Sequence, residues 1–317
     1  MDEDAERQLQ NMVVFNYLTD DATRRAQMDF ARHPAVVSQA RSVLGQYSTD
    51  PLLPIVGDSL RYQWGLYRIN AIQSGNPTGI WAQTTGSAYV AMLDNGLQTS
   101  GGVHLDLAAN YRAHFSYNYG AAHNGATGGS LPTYNVDETP FVNALLVPSA
   151  GHGTHTAGIV AARNGNGLGG SGVCPSCSVM AGRVTEIVSN GDGTYYAQPD
   201  SAAVATGMSD LVSHGAQVIN QSFGLGIDPI APIDAAIGKA AARDVVIVAA
   251  SGNQRSPTID YPANDSRVIA VGGTTSQNAF WDEGVGNKGS NWSESTKVQQ
   301  FVAPAKGVIS SAYSGVD

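Results

Sequence analysis

From Ala88 onward the chain alternates short, near-continuous apolar runs with small-residue segments of helical period. That alternation restricts its fold more than any other feature. The runs recur at Tyr89–Leu93, Val179–Val184, Gln217–Asn220, Val245–Ala250 and Val268–Val271, and the helical patterns at His152–Arg163, Ser201–His214 and Pro232–Arg243. Strands without polar alternation are buried on both faces, and intervening helices supply the crossovers that parallel strands require. The predicted class is α/β: three layers, α/β/α, around a mostly parallel central sheet. Reactive groups in such sheets gather at the C-terminal strand ends.

Two strings sit at such positions. Val90-Ala91-Met92-Leu93-Asp94-Asn95-Gly96 carries an apolar strand directly onto a carboxylate and a glycine turn. A buried carboxylate is unfavourable without a partner. His152-Gly153-Thr154-His155-Thr156-Ala157-Gly158 places an imidazole at the mouth of a small-residue helix, with glycines on both sides leaving room for a substrate. An acid and a histidine on successive βα units are the first two members of an Asp, His, Ser relay, in which the acid orients the base and the base takes the nucleophile's proton. His155 invites a metallopeptidase reading with His152, but the His-Glu-x-x-His spacing of zinc peptidases is absent.

The rest of the chain has a different texture. Residues 1–50 read as a helical N-terminal extension: Thr19 caps a segment from Asp20 to Arg32, His33-Pro34 breaks it, and Ser48-Thr49-Asp50-Pro51 forms a linker. The extension is either packed on the main domain, 51–317, or the remnant of a pro-segment covering its cleft. Residues 108–149, rich in Tyr, Asn, Gly and Ala without a period, read as a surface insertion. Charged residues make up only 14% of the 317 and the net charge is −9. Nucleic acid is therefore not the expected partner. No run of about 18 apolar residues is present to span a bilayer. The sparse charge points to a secreted or periplasmic protein, although the acidic Met-Asp-Glu-Asp start is not a signal peptide. Cys174-Pro175-Ser176-Cys177 supplies too few ligands for structural zinc and reads as a local disulfide or two free thiols in a loop.

With these strings in place, the sequence resembles the subtilisin-like serine proteases, the subtilases, from about Tyr62 to Asp317. Tyr62-Gln63-Trp64-Gly65-Leu66-Tyr67-Arg68-Ile69 is similar to the segment that precedes their first central strand. Asp94-Asn95-Gly96 is similar to their acid motif, with Asn95 in place of Ser or Thr, and His152–Gly158 to their histidine motif, with Thr156 where Val is common. Val218-Ile219-Asn220-Gln221-Ser222-Phe223-Gly224 resembles the substrate-pairing strand, and Val246-Ile247-Val248-Ala249-Ala250-Ser251-Gly252-Asn253 the oxyanion strand. Tyr261-Pro262-Ala263, Val268-Ile269-Ala270-Val271-Gly272 and Phe301-Val302-Ala303-Pro304 follow in family order. The resemblance implies Asp94 as orienting acid, His152 as base and Asn253 as oxyanion donor. It implies substrate contacts at Ser222, Phe223, Gly224, Ala250, Ser251 and Gly252, with a protein or peptide as substrate. It also implies a structural calcium site, not needed for the chemistry, drawing on Asp106, Asn164 and Asn166; Gly-Asn repeats are equally ordinary turn-formers.

One member of the relay is missing. The family's nucleophile stands in Gly-Thr-Ser-x-Ala at the start of a long helix. None of Ser310, Ser311 and Ser314 follows Gly-Thr. The serine is expected a few positions beyond Asp317, on the same gene product or on a separate associated segment. The 317 residues alone are then expected to be inactive. The alternative is a catalytically silent pseudoprotease that binds peptides.

Overall fold

The computed structural model describes residues 63–71, 81, 87–99, 102–120, 136–137, 151–192, 195–284, 288–294 and 299–311. The helical extension expected over 1–50 lies outside these residues, as does most of the insertion expected over 108–149. In chain order the elements are α1 (Trp64–Arg68), β1 (Tyr89–Asp94), a single 3-10 turn, β2 (Tyr117–Asn118), α2 (His152–Ala161), β3 (Ser178–Arg183), β4 (Thr185–Ser189), β5 (Tyr195–Pro199), α3 (Ser201–Ser213), β6 (Val218–Gln221), α4 (Ala231–Ala241), β7 (Val246–Ala250), β8 (Ile269–Thr274) and β9 (Gln299–Pro304).

Seven strands form one sheet in the order β2-β3-β1-β6-β7-β8-β9, every neighbouring pair parallel. The α/β class and parallel sheet expected from the apolar runs are both present. The pleat explains why those runs are continuous. Ala91 and Leu93 point to the face covered by α3 and α4, where they join Val204, Met208, Leu211, Ile233 and Ile237. Val90 and Met92 point to the opposite face, against Ala157 and Ala161 of α2. With alternate residues buried on opposite faces, no position in β1 beyond Tyr89 is left for a polar exterior. Met208, Leu211, Ile233 and Ile237 are fully buried, each stabilising the fold by about 1.5–3 kcal/mol relative to exposure. Asp200 caps α3 by accepting from the Ala203 amide at 2.7 Å.

Several elements, α1, β2, β4, β5 and β9, have no counterpart among the periodic runs. Tyr117–Asn118 lies inside the segment read as a surface insertion, yet it adds an edge strand beside Gly182 and Arg183. A two-residue strand is too short to carry a period. The β4–β5 hairpin is half exposed and turns through Asn190-Gly191-Asp192, with Gly191 at φ +83°. Cys174 and Cys177 are joined in a disulfide in the connection from α2 to β3. Among the described residues no helix is long and apolar enough to cross a membrane.

Candidate active site

The strand order brings three loops to one place. β1 neighbours β6, with Leu93 opposite Gln221, and β6 neighbours β7, with Gln221 opposite Ala249. Asp94, Ser222 and Ala250 therefore leave the same C-terminal edge of the sheet from adjacent strands. Asp94 shares the pleat parity of Val90 and Met92, so its side chain points to the α2 face. The last residue of the strand thus delivers its carboxylate to the start of the helix that begins with His152.

Asp94 is 4% exposed and its carboxylate receives three donors. Oδ1 accepts from the Asn95 amide and from His152 Nδ1, both at 2.8 Å, and Oδ2 accepts from Thr156 Oγ1 at 3.1 Å. The Thr156 hydroxyl also lies 3.1 Å from the Gly153 carbonyl. It has one proton, and the charged oxygen is the stronger acceptor. The start of α2 offers further favourable dipolar charge to the acid. With Nδ1–H donated to Asp94, a neutral His152 carries its acceptor lone pair on Nε2. Its side chain is 40% exposed against 5% for that of Asp94, so the acid is covered while the base remains accessible.

Asn95, the departure from Ser or Thr, has a structural role. Its Oδ1 accepts from the Gly153 amide at 2.8 Å, satisfying one of the orphan donors at the start of α2. Gly151, at φ +77°, turns the chain into the helix without a side-chain cap. Thr154 Oγ1 accepts from the Gln98 amide at 2.8 Å, so the acid turn and the helix start are stitched together twice. Glycine is required at 153. A Cβ there would overlap the Gly96 carbonyl oxygen and lie 2.9 Å from Asn95 Oδ1. Gly153→Ala is expected to cost about 3 kcal/mol, because backbone has to move on both sides of the contact. A urea midpoint lowered at unchanged slope reports that loss.

The other predicted residues line the same edge in different ways. Phe223 packs against the core on the α3/α4 face. Ser222 Oγ accepts from Asn220 Nδ2 at 2.9 Å. Ser251 is buried, its hydroxyl lying 3.6 Å from where a Cβ on Gly272 of β8 would stand. Gly252 has φ +109°. Asn253 is exposed, its amide bonded to Gln254 Oε1 at 2.9 Å and its carbonyl to the Gly289 amide at 3.3 Å. Asp260 was not singled out in the sequence, yet its carboxylate lies between Gly224 and Gly252. Burial pushes its pKa up, partly offset by the Gln254 amide. A cavity of about 510 Å³ opens beside Gly224, walled by Glu186, Val188, Leu225 and Ile230.

His155 does not complete a metal site with His152: among the described residues no three His, Cys, Asp or Glu come together. Burial lowers its pKa, with His152 adding to that effect and a main-chain bond at Val308 opposing it. Of the calcium candidates, Asp106 and Asn166 are in contact, whereas Asn164 bonds within its own loop. Asp106 is 1% exposed; Asn166 Nδ2 donates to its Oδ1 at 2.9 Å and the Gly170 amide to its Oδ2 at 3.2 Å. Asn164 Oδ1 accepts from Ser171 Oγ at 3.3 Å. Gln63 brackets the same loop, with its Oε1 accepting from the Ser171 amide at 2.7 Å. A carboxylate with side-chain amide oxygens in the same loop is the donor chemistry of a hard cation such as calcium, not of zinc; here both Asp106 oxygens accept N–H groups.

Ser310 and Ser311 are committed to the flank of α2. Ser310 Oγ donates to the His155 carbonyl at 2.8 Å, and both hydroxyls lie against Gly158, where a Cβ would overlap them. Neither is presented to the His152 ring by these contacts. Ser314 lies outside the described residues.

Residues 86–315 match the profile of the subtilase family. Subtilisin Savinase of Lederbergia lenta is 33% identical over 216 residues, an alignment that takes in 68% of this chain and 64% of that protein. Thermitase of Thermoactinomyces vulgaris is 33% identical over 213 residues, 67% of this chain and 62% of its own. The chain thus spans less than two thirds of the length of these relatives. Among solved structures, the prenylagaramide maturation protease PagA shares the fold, with a TM-score of 0.51 at 21% identity over 74% of this chain and 69% of that one. With the family profile covering most of the chain and the acid and histidine motifs meeting at one sheet edge, the protein belongs to the subtilase family.

Proposed function

We propose that this protein is the acid-, base- and oxyanion-bearing part of a serine endopeptidase that cuts extended peptides by acyl transfer. The observation that carries the reading is the 2.8 Å bond from His152 Nδ1 to the covered Asp94 carboxylate. His152 Nε2 takes the proton of a serine hydroxyl as the oxygen attacks the scissile carbonyl. It then returns that proton to the leaving amine, and water repeats the cycle to release the acyl group. Asp94 stabilises the imidazolium formed in between. The Asn253 side-chain amide donates to the oxyanion, and the substrate backbone lies along 222–224 and 250–252. The serine belongs to Gly-Thr-Ser beyond Asp317 or on an associated segment, consistent with the commitment of Ser310 to α2. The closed disulfide and sparse charge agree with a secreted or periplasmic location.

The test is labelling by a fluorophosphonate together with casein hydrolysis. The domain expressed with its serine segment is expected to do both, residues 1–317 alone to do neither. Hydrolysis by residues 1–317 alone, or none by the longer domain, defeats the proposal.

A structural calcium ion is part of the same reading. Asp106 with Asn164 and Asn166 would hold it, and when bound it supplies charge that knits the loop 164–171 to the strand side of the domain. Chelation with EGTA is expected to lower Tm by roughly 5 °C, as for a ligand held well above its Kd. Asp106→Asn should abolish the difference between calcium and EGTA. A Tm unmoved by either ion removes calcium from the account.

A further inference from the structure

We infer that Asp260 is the specificity-determining residue of the peptide site, and that the side chain it selects, on the residue before the cleaved bond, is arginine or lysine. The inference rests on the endopeptidase reading for the identity of the ligand, and on independent geometry for its charge. The walls of the site are the main chains of 222–224 and 250–252, leaving β6 and β7. Each wall contains a glycine, and the Asp260 carboxylate lies beside both, sharing the space at Gly252 with Asn291 Nδ2 and Gln254 Oε1. A Cβ on Gly224 would overlap Asp260 Oδ2, and a Cβ on Gly252 would lie 2.6 Å from the same oxygen. One carboxylate oxygen therefore stands between two walls where neither presents a side chain.

Its position is fixed. The Asp260 amide donates to the Ser251 carbonyl at 3.0 Å, which ties this residue to the second wall. Its side-chain neighbours are neutral amides: Asn291 Nδ2 is 3.4 Å from Oδ1, and Gln254 stabilises the charged form. Phe223, the large apolar residue of the first wall, packs against the core. The acid has lost part of its hydration without gaining a cation from these neighbours. A guanidinium or ammonium brought in by the substrate restores that loss with a charge-assisted hydrogen bond, bidentate for arginine. An apolar side chain buries the same carboxylate against carbon. A carboxylate at the floor of a specificity pocket selects cationic residues in other serine peptidases for this reason.

Two measurements test the assignment. p-Aminobenzamidine, a fluorescent cation that reads the pocket without turnover, is expected to bind residues 1–317. Asp260→Asn and Asp260→Ser, each checked for an unchanged circular dichroism spectrum, should weaken it at least 10-fold. In the domain carrying the serine, matched peptides with Arg or Phe before the scissile bond should differ in kcat/KM by about 100-fold in favour of Arg. That ratio should fall to about one in both variants. A probe that fails to bind, or binds the variants equally well, overturns the assignment; so does a substrate ratio favouring Phe. Probe binding that depends on Asp260 without hydrolysis of any peptide leaves the cationic pocket standing and sinks the endopeptidase reading instead.

Discussion

Replacing His152 by Ala, in the domain carrying its serine, is expected to lower kcat about 10⁶-fold with KM little changed. Without the imidazole, the serine proton has no acceptor at the cleft, because the Asp94 carboxylate is covered and still held by the Asn95 amide and the Thr156 hydroxyl. Asp94→Asn should cost less, about 10⁴-fold, and the structure gives a reason particular to this protein. The Asn95 amide can only donate, so it selects the carbonyl end of the new side chain at the Oδ1 position that also faces His152. The amide nitrogen then faces Thr156, whose hydroxyl turns its proton to the Gly153 carbonyl and accepts. The base therefore keeps its Nδ1–H tautomer, and the loss measures the missing negative charge. Imidazole ¹⁵N shifts of His152 in Asp94→Asn check this directly. A switch to the Nε2–H tautomer overturns the geometric part of the argument, and a kcat within 10-fold of wild type overturns the role of Asp94.

Asn253→Ala is the second large effect, expected to reduce kcat by about 10²–10³ while leaving KM nearly unchanged. A donor aimed at the oxyanion is used only as the carbonyl oxygen acquires charge, so its removal appears in kcat. Asn253 leaves β7 through Gly252, whose φ of +109° sharpens the turn out of the strand, and its carbonyl is held by the Gly289 amide. The backbone is thus anchored while the residue is exposed to solvent. Steady-state kinetics on one peptide substrate suffices: a rise in KM at constant kcat assigns Asn253 to ground-state binding and removes it from the oxyanion site.

How much of this was legible before the fold depended on whether the signal was local. Asp94 is marked by its own neighbours, four apolar residues before it and a glycine turn after it. His152 is marked by flanking glycines and a helical pattern of small residues. Asp260 has no such frame: Ile259 and Tyr261 beside it are core residues, and a single acid between them reads as chance. It matters because the chain returns from β7 and pairs with Ser251, which lays its side chain between two glycines distant in sequence. Thr156 was visible only as a departure from a common valine, and its bond to Asp94 Oδ2 exists because β1 and α2 converge. The edge strand β2 was missed because two residues carry no period, and its pairing comes entirely from β3.

The sequence by itself determined the class of the fold, the order along the chain of the strands and helices that carry a burial period, and the positions of the carboxylate at the end of β1 and the imidazole at the start of α2. Each of these is written in burial periodicity or in a turn signal spanning a few residues. The spatial order β3-β1-β6-β7, the side of the sheet to which Asp94 points, and the meeting of Asp260 with Gly224 and Gly252 were decided only in three dimensions. Parallel strands are joined through long crossovers, so strand adjacency is fixed by which faces pack against α2, α3 and α4. A contact made across such crossovers leaves no trace in the residues that flank it.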